Sequence, residues 1–130
     1  MTPKQKDLLL KDLCSRLPYG VICKDDYAKV EGKLVQIGIN NDMCLLSDDY
    51  GKTEFAYIPN CKPYLFPLSN MTEEQEEQYN NLRSIGTDEF GDIRYYETFE
   101  SIEYLIANHF DYRGLIPKGL AIDATGLNIY

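Results

Sequence analysis

YGVICKDDYAKVEGKLVQIGINNDMCLLSDDYGKTEFAYIPNCKPYLFPL, residues 19–68, is the stretch whose reading decides the fold. β-branched and aromatic residues recur there in short runs, and each run is bounded by turn-forming residues, which is the pattern of short strands. Val21-Ile22-Cys23 opens the first run and Asp25-Asp26 marks a turn. Val30 to Ile39 reads as a long second strand, with Gly32 as the expected site of a bulge or sharp bend. Asn40-Asn41 suits a hairpin turn, because Asn tolerates positive φ. Met43 to Ser47 is a third strand, Asp48-Asp49-Tyr50-Gly51 turns again, and Thr53 to Ile58 is a fourth, with Phe55 and Tyr57 on one face. Lys62 to Phe66 makes a short fifth strand, which Pro63 and Pro67 confine to an edge or to strand ends. The stretch therefore predicts a small five-stranded antiparallel barrel or strongly bent sheet.

Helical patterns lie on both sides of it. Residues 2–17 begin with Thr2, Pro3 and Gln5, a Thr-x-x-Gln capping box with proline at the first helical position. Leu9, Leu10, Leu13, Cys14 and Leu17 form an apolar stripe, and Pro18 with Gly20 ends the helix. Thr72 and Gln75 repeat the capping box, and a second helix follows with a thin apolar face of Tyr79, Leu82 and Ile85, so it is expected to be largely exposed. Residues 87–97 read as a loop or short hairpin around Phe90-Gly91. From Thr98 to Phe110, the residues Phe99, Ile102, Leu105, Ile106 and Phe110 make the best helical stripe in the chain. The tail, residues 111–130, is too apolar to hang in water, so it either packs on its own domain or enters a partner. The whole is an α+β chain, expected as one domain over residues 1–130.

Its 130 residues carry a net charge of −8, unevenly placed. Residues 72–103 hold ten acidic residues against Arg83 and Arg94, while the segments before and after are balanced. Glu73, Glu74, Glu76 and Glu77 crowd the first turns of the second helix, where the helix dipole favours negative charge. With Glu97, Glu100 and Glu103 they are the candidate partner-binding residues, and a basic protein is the partner they suit. Phosphate backbones would be repelled by this segment, which argues against nucleic acid. Eleven tyrosines and no tryptophan supply apolar faces with polar tips. No apolar run approaches a membrane span and no leader pattern opens the chain, so a cytoplasmic protein is expected, as a monomer or weak homodimer.

Catalytic patterns are scarce. Cys14, Cys23, Cys44 and Cys61 are scattered without a CxxC pair, so free thiols without zinc or another cofactor are expected. The only histidine, His109, lies near a helix C-terminus, where it more simply interacts with the helix dipole than serves a cysteine as base. Asp25-Asp26 and Asp48-Asp49 lack the alternate spacing of a calcium loop and suit hairpin turns. Gly114, Gly119 and Gly126 are too far apart for a phosphate cradle.

Two resemblances add to this. The helix, the glycine-led strand, the Gly32-Lys33-Leu34-Val35 bend and the short strands of residues 4–67 resemble the element order of the Sm-like barrel, without a match to its RNA-holding loops. The tail Asp111–Tyr130, with Asp12-Leu13-Cys14 through Leu17-Pro18-Tyr19-Gly20-Val21 and Lys62-Pro63-Tyr64-Leu65-Phe66-Pro67-Leu68, resembles a family of short uncharacterised proteins encoded in genomes, prophages and mobile elements of gut anaerobic bacteria. That resemblance implies a setting and transfers no site residue. The expectation for function is a non-enzymatic protein-binding accessory protein of a phage or mobile element, acting through an exposed edge strand or the tail. The alternative is an acidic inhibitor of a nucleic-acid-binding or defence protein that mimics phosphate charge. A small enzyme without a recognisable site comes third.

Overall fold

A computed structural model describes all of residues 1–130. Helix α1 (Pro3–Arg16) starts at the Thr2–Gln5 capping box and passes through a 3₁₀ turn, Leu17–Tyr19, to left-handed Gly20. The strands β1 (Ile22–Asp25), β2 (Val30–Gly38), β3 (Met43–Ser47) and β4 (Thr53–Tyr57) form an antiparallel meander. β5 (Cys61–Leu65) returns to pair antiparallel with β1. Then come α2 (Glu73–Leu82), the strands β6 (Ser84–Thr87) and β7 (Ile93–Tyr96), α3 (Phe99–Ala107) and β8 (Ile122–Asp123). The main sheet runs β4-β3-β2-β1-β5-β8, and β6 with β7 is a separate two-stranded ribbon.

The sheet is open and mixed and does not close into a barrel. The edge of β5 that β4 would need is taken by β8, which pairs with it in parallel through Tyr64–Ile122 and Leu65–Asp123. β5 is thus an interior strand, correcting the expectation of an edge. Pro63 is accommodated because the β8 pairing begins one residue after it. Where β4 and β1 converge, one side chain replaces a ladder. Buried Asp25 accepts from Tyr27 N and Ala28 N at 3.0 Å with Oδ1, and from Tyr57 N at 3.3 Å with Oδ2. The same carboxylate caps its own turn and holds the end of β4.

Gly32 is not the bulge. The register shift in β2 lies between Leu34 and Gln36, so Val35 is the extra residue. Gly32 instead lets two strands approach closely, since a Cβ there would stand 2.3 Å from Ser47 O. Gly32→Ala should therefore lower stability by about 1–3 kcal/mol, the usual range for overpacking a close contact. Urea denaturation checks this, and an unchanged midpoint would show that β3 moves aside freely. At the next turn the positive φ falls on Asp42 rather than on an asparagine, and Asn41 Oδ1 caps Met43 N.

The core lies between α1 and one face of the sheet. Leu9 and Leu13 meet Val21, Leu34, Leu46, Ile58 and Leu65, and the tail closes it with Leu115, Leu120 and Ala121. Cys14 is exposed, outside the stripe assigned to it, whereas Cys23, Cys44 and Cys61 are buried together. Cys44 Sγ and Cys61 Sγ are 3.8 Å apart, and hydrogen bonding between thiols and burial push both pKa values up, so these thiols are unreactive. α3 stops at Ala107, three residues before the expected end, because His109 adopts φ +64°. Leu105, Ile106 and Phe110 are buried, but Phe99 points outward.

The tail packs on its own domain. The Tyr130 hydroxyl sits between β1 and β5, accepting from Ile22 N at 2.9 Å and donating to Tyr64 O at 2.8 Å. Its ring stacks on His109 at 3.8 Å. Burial, and then the charge of Arg16, lowers the His109 pKa to about 4. A base whose folded pKa lies below its unfolded value of 6.5 stabilises the fold above that value and loses the contribution as pH falls towards 4. The melting temperature should therefore fall between pH 6.5 and pH 4, and less so in His109→Asn, since Asn tolerates the left-handed backbone. Equal pH dependence in the two proteins would remove His109 as the cause.

Candidate functional site

Residues 72–100 stand apart from the core: not one of them is buried. α2 begins at the Thr72–Gln75 capping box, with Glu73, Glu74 and Glu76 in its first turn. It rests on α3 through Tyr79 stacked on Tyr104, with centroids 6.4 Å apart, and the Tyr104 hydroxyl donates to Gln78 Oε1 at 2.9 Å. The Arg83 guanidinium lies 5.0 Å from the Tyr79 ring and 5.3 Å from the Tyr95 ring, which extends this stack to the hairpin. Thr98, the α3 cap, donates through its hydroxyl to Leu82 O.

The seven glutamates singled out from the sequence are all exposed, but they do not act alike. Glu73, Glu74, Glu76 and Glu77 form one acidic face on α2, and Glu100 lies in the first turn of α3. Glu103 turns towards Tyr19, where burial first and then this carboxylate raise the tyrosine pKa. Glu97 is a pin. Its carboxylate takes the Tyr79 hydroxyl and, at 2.7 Å, the Ser101 hydroxyl, and lies 3.3 Å from Arg83 Nε. Burial, and then this hydrogen bond, pushes the Tyr79 pKa up to about 12.

The acidic reading of this segment overlooked its apolar half. Ile85, Phe90, Ile93 and Phe99 are 65–80% exposed, and Tyr95, Tyr96 and Leu82 are also open to solvent. In the ribbon, Ile85 faces Tyr95 and Thr87 faces Ile93, so Ile85, Ile93 and Tyr95 share one face. Aromatic and branched side chains displayed on a ribbon that buries nothing form a surface of the kind used to meet a partner.

Phe55 and Tyr57 of the edge strand β4 and Val35 of β2 are also exposed, but they belong to the sheet whose other side chains form the core. A cleft of about 440 Å³ is lined by Ile22, Glu31, Gly32, Lys33, Ser47, Asp48, Asp49, Asn128 and Ile129, with no nucleophile and base converging on it. No group of three or more His, Cys, Asp or Glu side chains is arranged to hold a metal ion. His109 stacks on Tyr130, and its buried Nδ1 has no hydrogen-bond partner, so no cysteine is paired with it there. No helix is long and apolar enough to cross a membrane.

No family model, curated protein or solved structure matches this chain.

Proposed function

We propose that this is a non-catalytic, protein-binding accessory protein of a phage or other mobile element, and that residues 72–100 are its docking platform. One observation carries the reading: this segment leaves Ile85, Phe90, Ile93 and Phe99 exposed while burying no residue of its own. The glutamates of α2, in the same segment as those groups, suit a basic protein and oppose self-association, since each copy would bring its own acidic segment. The tail is occupied within the fold, which leaves the platform and the strand edges for contact. The alternative of phosphate-charge mimicry draws on the same glutamates. It is the weaker reading, because Glu97 is engaged internally and apolar groups share the surface. The Sm-like resemblance extends to element order and brings no RNA-binding role.

The intact chain, immobilised and exposed to lysate of a gut anaerobic bacterium, should retain a protein with or without nuclease treatment, and release it as salt rises. Retention that nuclease abolishes, or no retention at low salt, would overturn the proposal. The Glu74→Gln, Glu77→Gln variant should bind that protein more weakly and yet melt at the same temperature or slightly higher, because exposed charges contribute little to folding. Equal binding by the variant would remove the acidic face from the interaction.

A further inference from the structure

The ribbon has a free edge that can be assigned. Asp88 N donates to Asp92 O at 2.9 Å, so these residues form a hydrogen-bonded pair at the turn. Antiparallel pairing alternates from there. Gly86–Arg94 and Ser84–Tyr96 exchange hydrogen bonds within the ribbon, while Thr87–Ile93 and Ile85–Tyr95 turn their main-chain groups outward. On β7 one outward group is used, since Tyr95 O accepts from Arg83 Nη2 at 3.2 Å. On β6 the N–H and C=O of both Ile85 and Thr87 have no partner in the chain. A two-stranded ribbon is marginal by itself and gains from a third strand.

We infer that the β6 edge accepts an extended, basic segment of a partner protein as a third strand, deepening the docking platform proposed above and resting on it. Main-chain hydrogen bonds to Ile85 and Thr87 would hold the segment in register. Its apolar residues would cover Ile85 on the ribbon face, and its basic residues would meet the exposed turn carboxylates Glu89 and Asp92 and the acid excess of residues 72–103. A second copy of this chain is disfavoured as the occupant, because residues 72–103 bring the same excess of acid from both sides.

The test uses the full chain and three synthetic peptides of equal length: alternating Lys-Val, alternating Glu-Val, and a lysine-rich amphipathic helix. Fluorescence anisotropy should show the Lys-Val peptide binding at least tenfold more tightly than either of the others. Amide exchange at Ile85 and Thr87 should slow when it binds, while exchange in β1 and β5 stays unchanged. Thr87→Pro removes one outward donor without touching a bond inside the ribbon, so it should weaken binding at least tenfold and leave the melting temperature unchanged. Should Thr87→Pro also lower the melting temperature, Thr87→Lys, which keeps the N–H donor but adds like charge against the peptide, is read instead, with weaker binding expected for Lys-Val and not for Glu-Val. Tighter binding of the helical peptide, or Lys-Val binding without protection of Ile85 and Thr87, would overturn the strand assignment while leaving the docking platform standing. Failure of the lysate experiment would remove the platform itself.

Discussion

Arg16→Ala should lower the free energy of unfolding by about 3–5 kcal/mol, the range for stripping one partner from a buried ion pair. The Arg16 side chain is wholly inaccessible and so is that of Asp12, one helical turn before it. Nε of Arg16 donates to Asp12 Oδ2 at 2.8 Å, and the far side of the guanidinium donates to Phe110 O at 2.6 Å and Ile106 O at 3.4 Å. Those carbonyls lie at the end of α3 and just beyond it, where helical carbonyls run out of partners and the dipole is negative. Arg113 Nη1 reaches the other Asp12 oxygen at 2.9 Å. One carboxylate between two guanidinium groups thus joins α1, α3 and the start of the tail. Removing Arg16 leaves the Ile106 and Phe110 carbonyls with only their main-chain partners, His109 N and Tyr112 N, and Asp12 with a single cation. The double variant Asp12→Ala, Arg16→Ala should lose less than the sum of the single losses, because the two residues act as one unit. Chemical denaturation of the three variants measures this. A loss under about 1 kcal/mol in Arg16→Ala would mean that water replaces the guanidinium, contrary to the burial of its site.

Cutting the chain after Arg113 should abolish cooperative unfolding. The cut removes buried Leu115, Leu120, Ala121 and Ala124, the β8 pairing and the Tyr130 hydroxyl between β1 and β5. Each leucine alone represents about 1.5–3 kcal/mol of burial, against a typical total stability of about 5–15 kcal/mol. The truncated protein should bind a hydrophobic dye and lose its near-ultraviolet circular dichroism while keeping helical signal. A sharp thermal transition near that of the full chain would show that the tail is an accessory cover and not part of the core.

The parts of this fold that could be read in the sequence are those with local causes. Thr2 and Thr72 announce their helices because a capping box needs only residues three apart. The first five strands follow from alternation and turn chemistry. The β6–β7 hairpin carries a local signal of its own. Asp48-Asp49-Tyr50-Gly51 and Asp88-Glu89-Phe90-Gly91 build the same turn, with the first Asp accepting from the third and fifth residues and the glycine at positive φ. The Asp-x-x-Gly pattern that turns β3 into β4 therefore also marks the turn between β6 and β7.

What stayed hidden has distant causes. Nothing near Ile122 indicates a strand, because its partner Tyr64 lies far back in the chain, and that pairing is what keeps the sheet open. Asp12 and Arg16 look like ordinary surface residues until α3 and Arg113 cover them. The three buried cysteines are scattered in sequence and meet only because β1, β3 and β5 share a face. At the candidate site the charge excess was legible, since it is a matter of counting. Its apolar half was not, because Ile93, Tyr95 and Phe99 carry the periodicity of residues that would be buried, and only the absence of a covering layer exposes them.

The parallel pairing of β5 with β8 also sets a schedule for the newborn chain. β5 is translated well before its second neighbour, and the intervening stretch includes α2 and the ribbon, which give the core nothing. At roughly 5–20 residues per second the interval lasts several seconds. Throughout it, the nascent protein carries an unfinished strand edge over a hydrophobic interior that still lacks Leu115 and Leu120. Elongation speed between these two strands, and any chaperone waiting at the ribosome exit, therefore govern how many molecules reach the folded state and how many join one another first.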